Sequence, residues 1–331
     1  MSSLRWGILA TGGIAHSMMH DLKLAGLDVR AVGSRSQESA DRFAAAFDIP
    51  RAHASYEALA NDDDIDVVYV ASPHGLHFEH TSLVLNAGKH ALVEKAFTIN
   101  QAEADGLRRL AAEKNLLVTE AMWTRHLPHM IRIRDLVRQG ALGEVRGLTA
   151  THTQSLPTDP AHRLNALALG GGALLDLGIY PISFAWDMLG APATIQASAR
   201  LGATGADTEV ATVFAHADGA VSTTLSSMRA AGANTAQVLG TEARIDIDGI
   251  WFAPTSFRVT ATDGTVVEEF PLEHSELRGM QFEALAVEKA IAQGLTSTPE
   301  MPIDETVAIM GALDEIRRQI GVRYAQDEAS A

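Results

Sequence analysis

Through the first 120 residues, short apolar runs alternate with segments of helical period, and no other feature restricts the possible folds as much. RWGILA (5–10) leads into a helical stretch ending near Leu24, VRAVGS (29–34) into QESADRFAAAF, and VVYVA (67–71) into HFEHTSLVLNA. HALVE (90–94) then leads into QAEADGLRRLAAEK, and LLVTE (116–120) closes the series. Strands that are apolar throughout, rather than at every second residue, are buried on both faces, and the amphipathic segments between them supply the covers. The expectation is an α/β domain built on a doubly wound parallel sheet. The chain has 331 residues, more than one core usually serves, so a second domain is expected.

After a helix near 128–139 the pattern changes. Strand-like segments follow at 143–152, 194–201, 208–216, 219–228, 234–240, 243–248, 256–262 and 265–271, with Asp218-Gly219 and Asp263-Gly264 among their turns. Closely spaced strands with Asp-Gly turns favour antiparallel pairing. The second domain is therefore read as α/β with one large, open, mainly antiparallel sheet and helices at 170–189, 278–293 and 304–320. The expected division is 1–121 for dinucleotide binding and 122–331 for substrate binding and oligomerisation.

The dinucleotide reading starts at the first turn, Ala10-Thr11-Gly12-Gly13-Ile14-Ala15, a variant of G-x-G-x-x-G/A with alanine in its first place. Gly12 and Gly13 would let backbone amides approach a pyrophosphate where a helix begins. A glycine pair in a tight turn also occurs without any ligand, but this one lies where a Rossmann βαβ unit requires it. The second strand ends in Gly33-Ser34-Arg35-Ser36, with no acid to hold ribose hydroxyls. Arg35 between two hydroxyls suits the extra phosphate of NADP, although NAD remains possible and a solvated turn arginine is the plainer alternative.

Two more strand tips carry polar groups: Ser72-Pro73-His74-Gly75-Leu76-His77, and Glu94-Lys95-Ala96-Phe97. A lysine directly after a buried strand is costly unless it meets an anion or substrate or reaches solvent. His74, His77 and His80 lack the accompanying ligands of a metal site, and none is expected; His77 reads as a hydrogen-bonding loop residue. The chain has no cysteine and a net charge of −15. These exclude thiol chemistry and disfavour nucleic acid and anionic membranes as partners. No apolar stretch is read as a signal or a membrane span, and the cytoplasm is the expected location.

Residues 170–181, GGGALLDLGIYP, place Asp176 and Tyr180 four apart in an apolar helix, with Pro181 expected to kink it at Tyr180. Together with the fingerprint variant, the Ser-Pro loop ending at His77, and Glu94-Lys95, this segment resembles the Gfo/Idh/MocA oxidoreductases. TEAMWTRHLP (119–128) and GGGALLDLGIYP are most similar to its dimeric dihydrodiol dehydrogenase and NADP-dependent sugar dehydrogenase branch. The resemblance covers nearly the whole chain, and the combination of motifs is more specific than any one of them.

The resemblance implies that Lys95 contacts nicotinamide and substrate, that Tyr180 transfers the proton, and that Trp123 and Arg125 lie near both. The cofactor set it suggests is Thr11, Gly12, Gly13, Ile14, Ser34, Arg35, Ser72, Pro73, His77, Glu94, Lys95, Trp123 and Arg125. Substrate contacts would come from Lys95, Trp123, Arg163, Asp176 and Tyr180. Asp176 would accept a hydrogen bond from a substrate hydroxyl or from Lys95. Ala96 stands where that family has proline, and Ala10 where it has glycine. The expected activity is NADP-dependent hydride transfer with a sugar, polyol or vicinal diol. A non-catalytic dinucleotide sensor is one alternative; an amino- or hydroxy-acid dehydrogenase using Arg125 and Arg163 as a carboxylate clamp is another. Small side chains in TEVATVF and AVSTTLSS suit sheet-on-sheet contact, predicting a homodimer or homotetramer through the C-terminal sheet.

Overall fold

A computed structural model of the chain describes residues 4–272 and 278–329. The chain runs through β1 (Arg5–Leu9), α1 (Gly13–Leu24), β2 (Asp28–Gly33), α2 (Gln37–Phe47), β3 (Arg51–His53) and α3 (Tyr56–Ala60). It continues through β4 (Val67–Val70), α4 (His77–Asn86), β5 (His90–Glu94), α5 (Gln101–Lys114), β6 (Val118–Ala121) and α6 (Pro128–Arg138). Next come β7 (Val145–Thr153), α7 (Ile179–Leu189), β8 (Pro192–Leu201), β9 (Asp207–His216), β10 (Val221–Ser227), β11 (Ala236–Gly240) and β12 (Ala243–Ile247). The last elements are β13 (Phe257–Ala261), β14 (Val266–Phe270), α8 (Gln281–Ala292), α9 (Ile303–Ile320) and α10 (Gln326–Ala329).

These elements form two units, Met1–Trp123 with Glu276–Val307, and Thr124–Ser275 with Ala308–Ala331. A single cut at 121/122 does not describe this division, because the chain returns to the first unit through α8. The return is held by Asp21 of α1, whose buried carboxylate accepts the N–H groups of Arg278, Gly279 and Met280 at 3.2, 2.9 and 2.9 Å. It thereby serves donors that precede α8. Trp6 adds a bond from its indole N–H to Glu288 at 3.0 Å.

In the first unit six strands pair in the order β3-β2-β1-β4-β5-β6, all parallel. The order reverses between β1 and β4, so ligands of such a sheet bind beyond the carboxyl ends of those strands. β4 is buried at all four residues, as its unbroken apolar run requires. β3 was not expected: RAH is three residues long, half-buried and without an apolar run.

In the second unit eight strands pair in the order β14-β13-β12-β11-β7-β10-β9-β8. The β7–β10 pair is parallel and every other pair antiparallel. Ser222, Thr224 and Ser226 of β10 are buried, while Val213, Val221 and Leu225 are 45%, 43% and 45% exposed. On β10 small polar residues thus face inward and apolar ones face out, whereas the inner face elsewhere buries Leu148, Val210, Phe214, Val238, Ile245 and Val259. The irregularity expected at Tyr180 lies earlier: Tyr180 and Pro181 are the second and third residues of α7, and a π-helical turn at Leu174–Gly178 comes immediately before it. Pro181 lacks the N–H that would continue the ladder, and a wide turn is one way a helix absorbs that loss. Residues Leu167–Leu189 are long and apolar enough, by length and composition, to cross a membrane, and 83% of that window is buried in the protein.

Candidate active site

The first unit gathers the expected nucleotide-binding residues at the carboxyl ends of β1, β2, β4 and β5. Ala10 N–H donates to Gly33 O at 3.0 Å, and Ala71 N–H to Leu9 O at 3.0 Å, tying neighbouring strand tips together. α1 begins behind Gly12 with no side-chain cap, so its first-turn amides are presented to an anion. A Cβ added at Gly12 or Gly13 would meet nothing within 4 Å, which leaves open space in front of those amides. Thr11 Oγ1 and Ser34 Oγ lie 3.3 Å apart across the tips of β1 and β2. Ile14 and Pro73 are half-buried beside them. Ser72 Oγ is buried without a hydrogen-bond partner among the described residues, a donor and acceptor available to a ligand. This geometry fits a dinucleotide.

Arg35 is exposed and pairs with no carboxylate among the described residues. Its charge reaches Tyr56 and His80, where it opposes the upward and reinforces the downward pKa shift caused by burial. Of the two flanking hydroxyls, Ser36 is committed elsewhere: it caps α2 by accepting Ser39 N–H at 3.3 Å. Of the expected phosphate-binding residues at this tip, Arg35 and Ser34 are thus the two without a helix-capping role.

The segment after β5 is held on several sides. His74 Nε2 lies 3.0 Å from Lys95 O, and His77 Nδ1 3.0 Å from Ala96 O. His77 Nε2 lies 2.7 Å from Ser72 O. Burial pushes the fully enclosed His77 imidazole down to about 4, against the pull of these carbonyls. At neutral pH the ring is therefore uncharged and has one proton to donate between its two carbonyl neighbours. On the other side, Glu120 accepts Phe97 N–H at 3.0 Å. Glu94 accepts a short bond from the Tyr69 hydroxyl. The Lys95–Ala96 peptide is cis, at the position where the resembled motif has proline. Trp123 is buried at the end of this unit, with the Arg278 guanidinium 6.0 Å from its ring centre.

The second unit holds the other half of the expected set. Asp176 lies in the π-turn and Tyr180 in α7, both 7% exposed. Arg163, half-exposed, approaches Asp176 with Nη1 3.4 Å from Oδ1. The Tyr180 ring meets His152 edge-on at 4.9 Å and Phe252 at 5.5 Å, while His152 and Phe252 stack at 3.8 Å. Sequence reasoning passed over His152 and Phe252. A histidine near the end of a nine-residue strand was the available signal for the first, and nothing local marks the second.

Arg125 lies in a different setting from Arg163. Its Nε donates to Ser183 Oγ at 3.0 Å, its Nη2 to Ser183 O at 2.8 Å, and its Nη1 lies 3.5 Å from Asp187. Its side chain is 3% exposed. Committed in this way, Arg125 is a poor member of a substrate carboxylate clamp, which weakens the amino- or hydroxy-acid alternative.

Residues 4–122 match the oxidoreductase family with an NAD-binding Rossmann fold, and residues 130–246 match the GFO/IDH/MocA C-terminal domain. The chain is 33% identical to trans-1,2-dihydrobenzene-1,2-diol dehydrogenase of Bos taurus, over 98% of this chain and 99% of that one. It is also 33% identical to the NADP(+) D-xylose 1-dehydrogenase of Hypocrea jecorina, over 98% and 94%. Among solved structures, a 3-ketoreductase from Actinomadura kijaniata in complex with NADP and TDP-benzene superposes with a TM-score of 0.85 at 26% identity, over 96% of this chain and 98% of that one. With a dinucleotide-binding strand edge in one unit and a full-length relationship to these dehydrogenases, the chain belongs to the Gfo/Idh/MocA family and is an NAD(P)-dependent oxidoreductase.

Proposed function

We propose that the protein is an NADP-dependent dehydrogenase of sugars, polyols or vicinal diols, in which Tyr180 moves the proton of the reacting hydroxyl and Lys95 assists it. One observation carries this reading: Lys95 and Tyr180 are both present in a chain that aligns over 98% of its length with a dihydrodiol dehydrogenase and a D-xylose dehydrogenase. When bound, the nicotinamide supplies the hydride acceptor for oxidation and the donor for reduction.

The chain's own residues supply the proton chemistry. A free phenol has a pKa near ~10, too high for an effective base at neutral pH, and a neighbouring ammonium favours its ionised form. Lys95 therefore orients the substrate oxygen and eases the charge on Tyr180, which takes the hydroxyl proton in oxidation and returns it in reduction. Asp176, approached by Arg163, orients a second substrate hydroxyl, which suits vicinal diols and sugars. At the other end of the cofactor, Arg35 and the lack of an acid at the tip of β2 favour NADP over NAD. The outward apolar face of the second sheet supports a homodimer or a larger homo-oligomer built through that sheet.

The test is a screen of NADP⁺ and NAD⁺ reduction over pentoses, hexoses and trans-diols, with the reverse reaction run on dicarbonyls. Turnover with at least one sugar or diol, faster with NADP⁺, is the expected result. Tight NADP⁺ binding without turnover across the panel would instead support a sensor.

A further inference from the structure

The helix bearing Asp176 and Tyr180 starts at a glycine enclosed by residues distant in sequence. Gly172 has φ +145°, a backbone region that side chains rarely adopt. A Cβ there would run into Asp207 Oδ1 and lie 3.2 Å from the Tyr324 hydroxyl. Both groups hold the backbone around it. Asp207 Oδ2 accepts Leu174 N–H at 2.6 Å, and the Tyr324 hydroxyl donates to Gly171 O at 2.9 Å. Asp207 is fully buried and Tyr324 is 2% exposed.

Tyr324 is itself fixed by the chain around it. The Arg317 guanidinium lies 4.9 Å from its ring centre. Arg317 also donates to Asp327 at 2.6 and 3.0 Å and to Asp314 at 2.5 Å, and Asp327 accepts Tyr324 N–H at 2.9 Å. The segment following α9 is thus folded back onto the glycine turn by a phenol and by the ion pair of the buried Arg317 with the partly exposed Asp327. Burial lifts the Asp207 carboxyl to about 6, so at neutral pH it is mainly ionised and acts as an acceptor.

We propose that Tyr324 and Asp207 are positioning residues, a clamp through which the C-terminal segment sets where Asp176 and Tyr180 stand. The turn they hold is π-helical, a rare widened turn that occurs mostly as a single bulge within α-helices, often at functional sites. The donors of a first helical turn need acceptors from outside. Asp207 supplies one on the Leu174 side of Gly172, and Tyr324 ties down the carbonyl on the other side. Two tethers flanking one glycine fix the direction in which the helix leaves, and displacements of about 1 Å in catalytic groups can reduce rates by ~10²-fold.

This inference rests on the proposed roles of Asp176 and Tyr180, and its test separates the two. Tyr324→Phe keeps the ring and its Arg317 contact and removes only the hydroxyl; Asp207→Asn removes the charge. Full-length parent and variants are compared for kcat and KM with D-xylose and a trans-diol, NADP⁺ affinity by fluorescence, and amide exchange across 173–180. The clamp predicts a kcat loss of roughly tenfold or more in Tyr324→Phe, with NADP⁺ affinity held within about twofold and faster exchange in 173–180. Unchanged kcat in Tyr324→Phe overturns it, as does a lowered melting temperature with undiminished kcat per folded molecule. If the parent itself turns over no sugar or diol, the proposed function fails, and the exchange comparison still decides: unaltered protection of 173–180 overturns the clamp.

Discussion

Ala10 occupies the fingerprint position where the resembled family has glycine, and its φ is +81°. An L side chain in the left-handed region costs about 1–2 kcal/mol. Ala10→Gly should therefore stabilise the protein by about 1 kcal/mol in chemical denaturation, and a loss of stability would contradict the strain. Single residues were legible where chemistry shows in the residue type itself. Lys95 after an apolar strand and Asp176 with Tyr180 in an apolar helix stand out because burying such groups is costly. His152 and Phe252 did not stand out, since aromatic rings in a strand and a loop usually mean packing. The internal commitment of Arg125 depends on Ser183 and Asp187, 58 and 62 positions away, and no local pattern carries it.

Whole elements were mostly legible, because periodicity is a local property. Every strand of the second sheet falls on an expected segment, and β1, β2, β4, β5 and β6 fall on apolar runs. β3 escaped because three half-buried residues carry no period. The return of α8 to the first unit escaped because its anchor is Asp21, some 260 residues upstream. α8 also carries a consequence for pH dependence. Glu283 is fully buried, neither of its carboxylate oxygens has a hydrogen-bond partner among the described residues, and burial first, then Glu94, Asp21 and Glu120, raise its pKa well above the usual range. A raised folded-state pKa gives stability that is complete below the ordinary glutamate value and is lost as pH rises through the folded value. Glu283→Gln should thus gain on the parent as pH rises, being more stabilised relative to it at pH 9 than at pH 5. Urea denaturation at both pH values checks this, and a difference between the two proteins that stays constant would contradict it.

At the scale of the molecule, the apolar side chains on the outer face of the second sheet set the prediction for assembly. Its outer face exposes Val213, Val221 and Leu225 while its inner face buries hydroxyls, among them Thr212 and Thr224 bonded across strands at 2.7 Å. Replacing Val213 and Leu225 together by glutamate should shift the protein to monomer in sedimentation at micromolar concentration; a parent that is already monomeric there would contradict the assembly. The change of pattern after residue 121 was readable from the period, but the two later crossings of the chain between units, at 275/276 and 307/308, were not, since they arise from tertiary contacts alone. The central claim is that Tyr180 and Lys95 carry proton transfer in an NADP-dependent dehydrogenase. Its most direct measurement is kcat for parent, Tyr180→Phe and Lys95→Met on the best substrate, with NADP⁺ binding recorded in parallel. The account predicts losses of ~10²-fold or more with the cofactor still bound; turnover within about tenfold of the parent would contradict it.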